Sequence, residues 1–262
     1  MRPLGWLNYT LLTWCILTWA AYSQTKVQLD EVAYGKGFMV YTGIAPINHG
    51  STITDNDLSN LARDAFNDMV QLYTTKKAND LKYAFRGKHP SVMAALVDPT
   101  GERIYFSSSI LSPPKSKLQI KDHFLSLGIV GTKVAKALEQ CQGGIVIETK
   151  NDVQHAFKGS CGEVMLTVLF FHDRGEDAEI AGSRVVAVSS DKGDQNVQVK
   201  NFCTKKENSN VENSFGCFEY MDSLGILATD GQVSSGPTGD VGIGYARHIP
   251  ICELQQPMRA KL

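Results

Sequence analysis

The chain has 262 residues, 43% of them hydrophobic, with 26 basic side chains against 27 acidic ones. That apolar content can supply a core and excludes gross disorder. A formal charge of −1 excludes any global attraction to phosphate backbones, so no long nucleic acid is expected as a partner.

The chain opens MRPLGWLNYTLLTWCILTWAAYSQT, with Arg2 ahead of an apolar stretch from Leu11 to Ala21. Ala21-Tyr-Ser23 then fits the small-x-small rule for cleavage, so residues 1–23 read as a secretory signal peptide. Residues 24–262 form the expected mature protein, secreted and extracellular, a single domain and a monomer. Polar residues interrupt the leading apolar run and nothing later is apolar enough to cross a bilayer, so no membrane partner is expected.

Lys26 to His49 is a mixed, Gly-punctuated entry segment, read as an N-terminal extension. TDNDLSNLARDAFNDMVQLYTT follows as a helix that Thr54 or Asp55 can cap. Its Leu58, Leu61, Ala62, Ala65, Phe66, Met69 and Tyr73 recur at helical spacing and predict a buried stripe. SVMAALVDPTGERIYFSSSI reads as a hairpin, with Val92–Val97 and Arg103–Ser109 flanking a Pro-Thr-Gly turn.

Between hairpin and next helix lies an insertion around 111–150. It includes a short helix over Gly131–Gln142 and a strand over Gly144–Thr149. Lys115, Lys117, Lys121, Lys133 and Lys136 cluster there and read as a solvated face. A helix from Cys161 to about Phe171 comes next, and the HDRGED stretch from His172 to Asp177 reads as its solvated end. GSRVVAVSS is a buried strand, FGCFEYMDSLGI opens a helix at Cys217, and ILATD follows as a short strand. The Gly-rich stretch from Val233 to Leu254 reads as turns, since no Lys-Ser/Thr follows that would make a phosphate loop. This order predicts one α/β sheet with helices on its faces.

Removing Cys15 with the signal leaves Cys141, Cys161, Cys203, Cys217 and Cys252, an odd number in an oxidising compartment. One disulfide plus three thiols on a metal closes the arithmetic, and so do two disulfides plus one buried thiol. Cys141 and Cys252, far apart in sequence, are the expected pair closing a large loop. A thiolate stays deprotonated where oriented N–H groups surround it, as at a helix start. A catalytic zinc takes three protein ligands and keeps one open position, with a nearby Glu to carry the proton. Cys161 and Glu163 at one helix start, with Cys203 and Cys217 near another, supply that inventory.

An apolar hairpin, a Cys-x-Glu opening a helix, a strand, and a Cys pair opening a helix that ends Leu-Gly-Ile is a plan that resembles the zinc-dependent cytidine deaminase-like superfamily. AALVDPTGERIYFSSSI is similar to its first hairpin, CGEVM to its first metal motif and GCFEYMDSLGI to the end of its second. His155, a few residues before Cys-Gly-Glu, makes the chain most similar to deaminase-like proteins secreted by filamentous fungi. The resemblance spans roughly residues 55 to 230. It implies a three-layer α/β/α sandwich with a mixed central sheet of about five strands. It implies zinc held by Cys161, Cys203 and Cys217, and Glu163 as the proton shuttle in water attack on an amidine-like ring carbon. His155 would line the pocket, with Ser109 nearest the position where nucleoside deaminases carry a ribose-binding Asn.

The family's Pro-Cys-x-x-Cys is altered here: Phe202 replaces the Pro, and thirteen residues separate Cys203 from Cys217. A Cys203–Cys217 disulfide closing that loop is therefore the alternative to zinc ligation. Two functions follow. One is a secreted zinc-dependent deaminase-like hydrolase acting on a nucleobase, nucleoside or similar amidine-bearing small molecule. The other is a catalytically inactive fungal effector, a virulence factor that binds and inhibits a host protein.

Overall fold

The computed structural model describes residues 26–35, 38–79, 88–111, 133–139, 154–155, 161–190, 196–202, 214–235, 238–239 and 241–249. In chain order the elements are β1 (Gln28–Leu29), α1 (Glu31–Gly35), β2 (Tyr41–Pro46), α2 (Asp55–Asn79), β3 (Val92–Val97) and β4 (Arg103–Ser108). Then come α3 (133–139), β5 (Gln154–His155), α4 (Gly162–Arg174), β6 (Arg184–Ser190), β7 (Val197–Val199), β8 (Ser214–Phe215), α5 (Cys217–Ser223) and β9 (Leu227–Ala228). The expected signal peptide, the expected strand over Gly144–Thr149, Cys141, Cys203 and Cys252 lie outside the described residues.

The protein is mixed α/β, and its described residues form a seven-stranded open sheet of order β1-β2-β4-β3-β6-β7, with β9 also on β6. Within this sheet the described pairings are antiparallel except β6–β9, which is parallel. β9 takes the first part of that β6 edge, at Arg184 and Val185, and β7 the last, at Val188 to Ser190.

Period-two alternation sorts the strand residues to two cores. Met93, Ala95, Val97, Ile104, Phe106, Val186 and Val188 pack with α2, whose Leu58, Leu61, Ala62, Ala65, Phe66, Met69 and Tyr73 are all buried as the spacing predicts. Each large apolar side chain so buried contributes roughly 1.5–3 kcal/mol. Ala94, Leu96, Tyr105, Val185 and Ala187 face the other way, against α4 and α5. Thr54 starts α2 as the cap: its Oγ1 accepts from the Asp57 N–H at 3.2 Å, and its own N–H donates to Asp57 Oδ2 at 2.9 Å.

Two expectations are corrected. The sheet holds seven strands where about five were expected, because the entry segment is part of it: Thr42 to Pro46 pair in register with Ser107 to Arg103. Gly43 and Pro46 are both residue types that disfavour a strand interior. At Gly43, however, an added Cβ would run into the Lys26 carbonyl, so glycine there is what lets the segment before β1 lie against β2. The end of α4 is also not solvated at Asp173. That carboxylate is buried and bonded to Arg103, Arg247 and, at 2.8 Å, the Tyr105 hydroxyl. The short helix expected over Gly131–Gln142 is present as α3, whose Lys133 ammonium lies 4.1 Å from the Phe171 ring centre rather than standing clear in solvent.

Candidate functional site

Helix α4 is apolar almost all round, with Gly162 to Phe171 buried without a break. Such a helix must dock closely, and its first residue makes this possible. A Cβ on Gly162 would stand 2.9 Å from the Ser107 carbonyl oxygen and 3.3 Å from the Ala94 Cβ. Glycine between Cys161 and Glu163 thus lets the helix start sit directly on β3 and β4. Cys161 caps the helix in an extended conformation (φ −71°, ψ 148°), and its carbonyl accepts from the Met165 N–H at 3.2 Å.

A second helix start is brought to the same place. Gly216 stands before α5 with its N–H donating to Glu219 Oε2 at 2.8 Å, a local cap that fixes where the helix begins. Cys217 is then its first residue and is buried. The strands leading into the two helices run parallel, Gln154 against Ser214 and His155 against Phe215, so both helices enter side by side. Deeper in, Thr167 Oγ1 and Tyr220 Oη are hydrogen-bonded at 2.9 Å, both fully buried, and lock α4 to α5.

The result is a cluster. One ligand atom each from Cys161, Glu163 and Cys217 lie within 4.8 Å of one another. Cys161 is half-buried and the other two buried, with Glu163 only 5% exposed. Each of the three groups becomes negative on losing a proton. At this separation they repel one another unless protons are retained or a cation sits among them. Two sulfurs at helix N-termini, where the backbone dipoles favour negative charge, fit zinc ligands, and the carboxylate beside them fits a proton carrier.

Of the residues singled out in the sequence, the structure brings together Cys161, Glu163 and Cys217. Cys203, the third sulfur, and with it the alternative Cys203–Cys217 disulfide, lies outside the described residues, as does the Cys141–Cys252 pair. His155 is placed by its backbone in the strand beside Phe215; its pocket role concerns a side chain outside the described residues. Ser109 is half-buried just past β4, with its N–H on the Val92 carbonyl at 3.0 Å. Sequence reasoning passed over Thr167 and Tyr220, whose hydroxyls sit on otherwise apolar faces; a hydroxyl in a wholly apolar stripe is the signal that finds such a pair.

At the other end of α4, Arg174 bonds Asp98 and, at 3.0 Å, Glu102, while Asp173 bonds Arg103 and Arg247. Burial and the bond to Asp173 push the Tyr105 hydroxyl far above its ordinary value. This end is a satisfied ion network around the hairpin turn.

A cleft of about 1210 Å³ opens elsewhere, at the sheet edge between residues 196–202 and 228–235, with Phe218 at its rim. None of Cys161, Glu163 and Cys217 is among its described walls. Among the described residues no helix is long and apolar enough to cross a membrane. Compared with family models, curated proteins and solved structures, the chain shows no match.

Proposed function

We propose that the chain is a secreted zinc-dependent hydrolase of the deaminase type, acting on an amidine-bearing nucleobase, nucleoside or similar small molecule. The observation that carries this reading is the convergence of Cys161, Glu163 and Cys217 at two adjoining helix starts. The helices on both faces of the mixed sheet support a three-layer, deaminase-like fold, with β3–β4 as its first hairpin. Cys161 and Cys217 would hold the metal with Cys203 as third ligand, and zinc there would act as a Lewis acid toward water and substrate.

The chain's own residues do the rest. Glu163 stands in the first turn of α4, two residues from the Cys161 ligand, where its carboxylate can take a proton from the attacking water. It would pass that proton to the departing amine, so that water adds at the ring carbon, the C–N bond breaks and ammonia leaves. Burial of Glu163 limits exchange of that proton with bulk solvent between the two transfers. Gly162 holds both groups against the sheet, and the Thr167–Tyr220 bond holds the second helix against the first.

Ammonia release from cytosine, cytidine, adenine and adenosine tests this reading. The Glu163→Gln variant should lose 10²–10⁴-fold in rate while keeping bound zinc and its fold. Turnover at the parent rate in that variant would overturn the mechanism. A second reading is a secreted effector that keeps the scaffold without catalysis and binds a host protein. It draws support from the cleft at the sheet edge, whose described walls are separate from the cluster.

A further inference from the structure

The cleft is lined by two unbroken runs of chain, 196–202 and 228–235, with Arg63, Asp64 and Asn67 of α2 and with Phe218. In the strand part of the first run, Val197–Val199, consecutive residues point to opposite faces, so a cleft touching all three reaches the strand's edge. The first run contains β7, which among the described residues is the last strand on its side of the sheet.

The ladder fixes what that edge presents. Lys200 donates its N–H to the Ala187 carbonyl, so residues 200 and 198 make the bonded pairs with β6, and Val199 and Val197 the intervening ones. The main-chain groups of Val197 and Val199 therefore point away from β6, toward the cleft. The facing run is held rigid by α2: Gln232 and Ser234 donate their N–H groups to Asn56 and Asn60 Oδ1 at 2.9 and 2.8 Å, and Arg63 donates to the Ser234 carbonyl. An extended strand edge with outward amide and carbonyl groups, facing a run bonded to α2, offers the bonding that a single added strand needs.

Charge narrows the occupant. Lys200 is exposed on one wall and Asp230 on the other, while Arg63 and Asp64 are paired to each other. Among the described residues, one exposed cation facing one exposed anion gives no preference for phosphates. It suits a peptide that offers an acidic side chain toward Lys200 and a basic one toward Asp230. Phe218, 46% exposed at the rim, adds an apolar contact.

We infer that this edge binds an extended segment of a partner protein, which adds as a strand to β7. The inference is independent of the metal cluster and of the hydrolase reading.

The test uses the full mature chain against a phage library of random dodecapeptides, with enriched peptides resynthesised. Enriched peptides should alternate apolar and polar residues and carry one acid and one base. Val199→Pro removes an outward N–H but no bond to β6, and should weaken binding at least tenfold; Val199→Ala, which keeps the N–H, should change it less than threefold. N-methylation should abolish binding at alternate peptide positions and be tolerated at the intervening ones, a readout that stands even if Val199→Pro does not fold. The inference is overturned if no peptide enriches. It is equally overturned if enriched peptides bind Val199→Pro as tightly as the parent, or tolerate N-methylation at every position.

Discussion

The two ends of helix α4 hold acidic groups in opposite ways. At the C-terminal end the buried carboxylates of Asp98 and Asp173 each meet at least one guanidinium, from Arg174 for the first and from Arg103 and Arg247 for the second. Charge there is neutralised by the chain itself, and the network ties hairpin, helix and the 241–249 segment together. At the N-terminal end Cys161 and Glu163 meet Cys217, three groups of one sign when ionised, within 4.8 Å. The first arrangement pairs each carboxylate with a guanidinium; the second places three potential metal or proton-carrying groups side by side. The contrast separates a structural ion network from a candidate chemical site on a single helix.

Breaking one end without the other sharpens that contrast. The largest effect on stability belongs at the C-terminal end. Asp173→Asn leaves two arginines facing a neutral amide and should cost about 3 kcal/mol in denaturant unfolding, with zinc content per folded chain unchanged. Gly162→Ala acts at the other end. The new methyl group meets a backbone carbonyl and the Ala94 methyl, so the helix start must lift. A cost of roughly 1–3 kcal/mol is expected, and turnover should fall more than the stability loss alone explains, because Cys161 and Glu163 move with it. Tyr220→Phe removes the hydroxyl that joins α4 to α5, while Thr167 keeps its bond to the Val164 carbonyl at 2.8 Å. It should cost about 1 kcal/mol in the same unfolding measurement.

The smallest effect concerns pH. Burial holds the His172 imidazole below its ordinary value of 6.5, with Asp173 opposing and Arg247 reinforcing the shift. The unfolded chain therefore takes up this proton more readily than the folded one. The His172 contribution is fully present above pH 6.5 and is lost as pH falls through the lower folded value. Unfolding curves from pH 7.5 down to 5 should show this decline, and His172→Gln should flatten it.

Much of this was legible in the sequence where one signal dominated. The stripe on α2, the β3–β4 hairpin around Pro-Thr-Gly, and the helices beginning at Cys161 and Cys217 each carry a period or a turn that local physics fixes. What was not legible depended on distant partners. Tyr41–Pro46 carries two strand-breaking residues and becomes a strand because β4 supplies its register. The 241–249 segment reads as turns, yet Arg247 and Ile243 bridge to Ile44 and Ile47. Asp173 sits in a run of charged residues and is buried only because Arg103 and Arg247 come from elsewhere in the chain. In the cluster, the proximity of Cys161 to Glu163 follows from sequence, but that of Cys217 requires the parallel β5–β8 pair and the Thr167–Tyr220 contact.

The most direct measurement is zinc content together with thiol reactivity on mature protein secreted without added metal. The account predicts about one zinc per chain. Cys161 and Cys217 should resist alkylation until a chelator is added and should then react together. Absence of zinc, with both thiols reacting at the same rate before and after chelation, would contradict it.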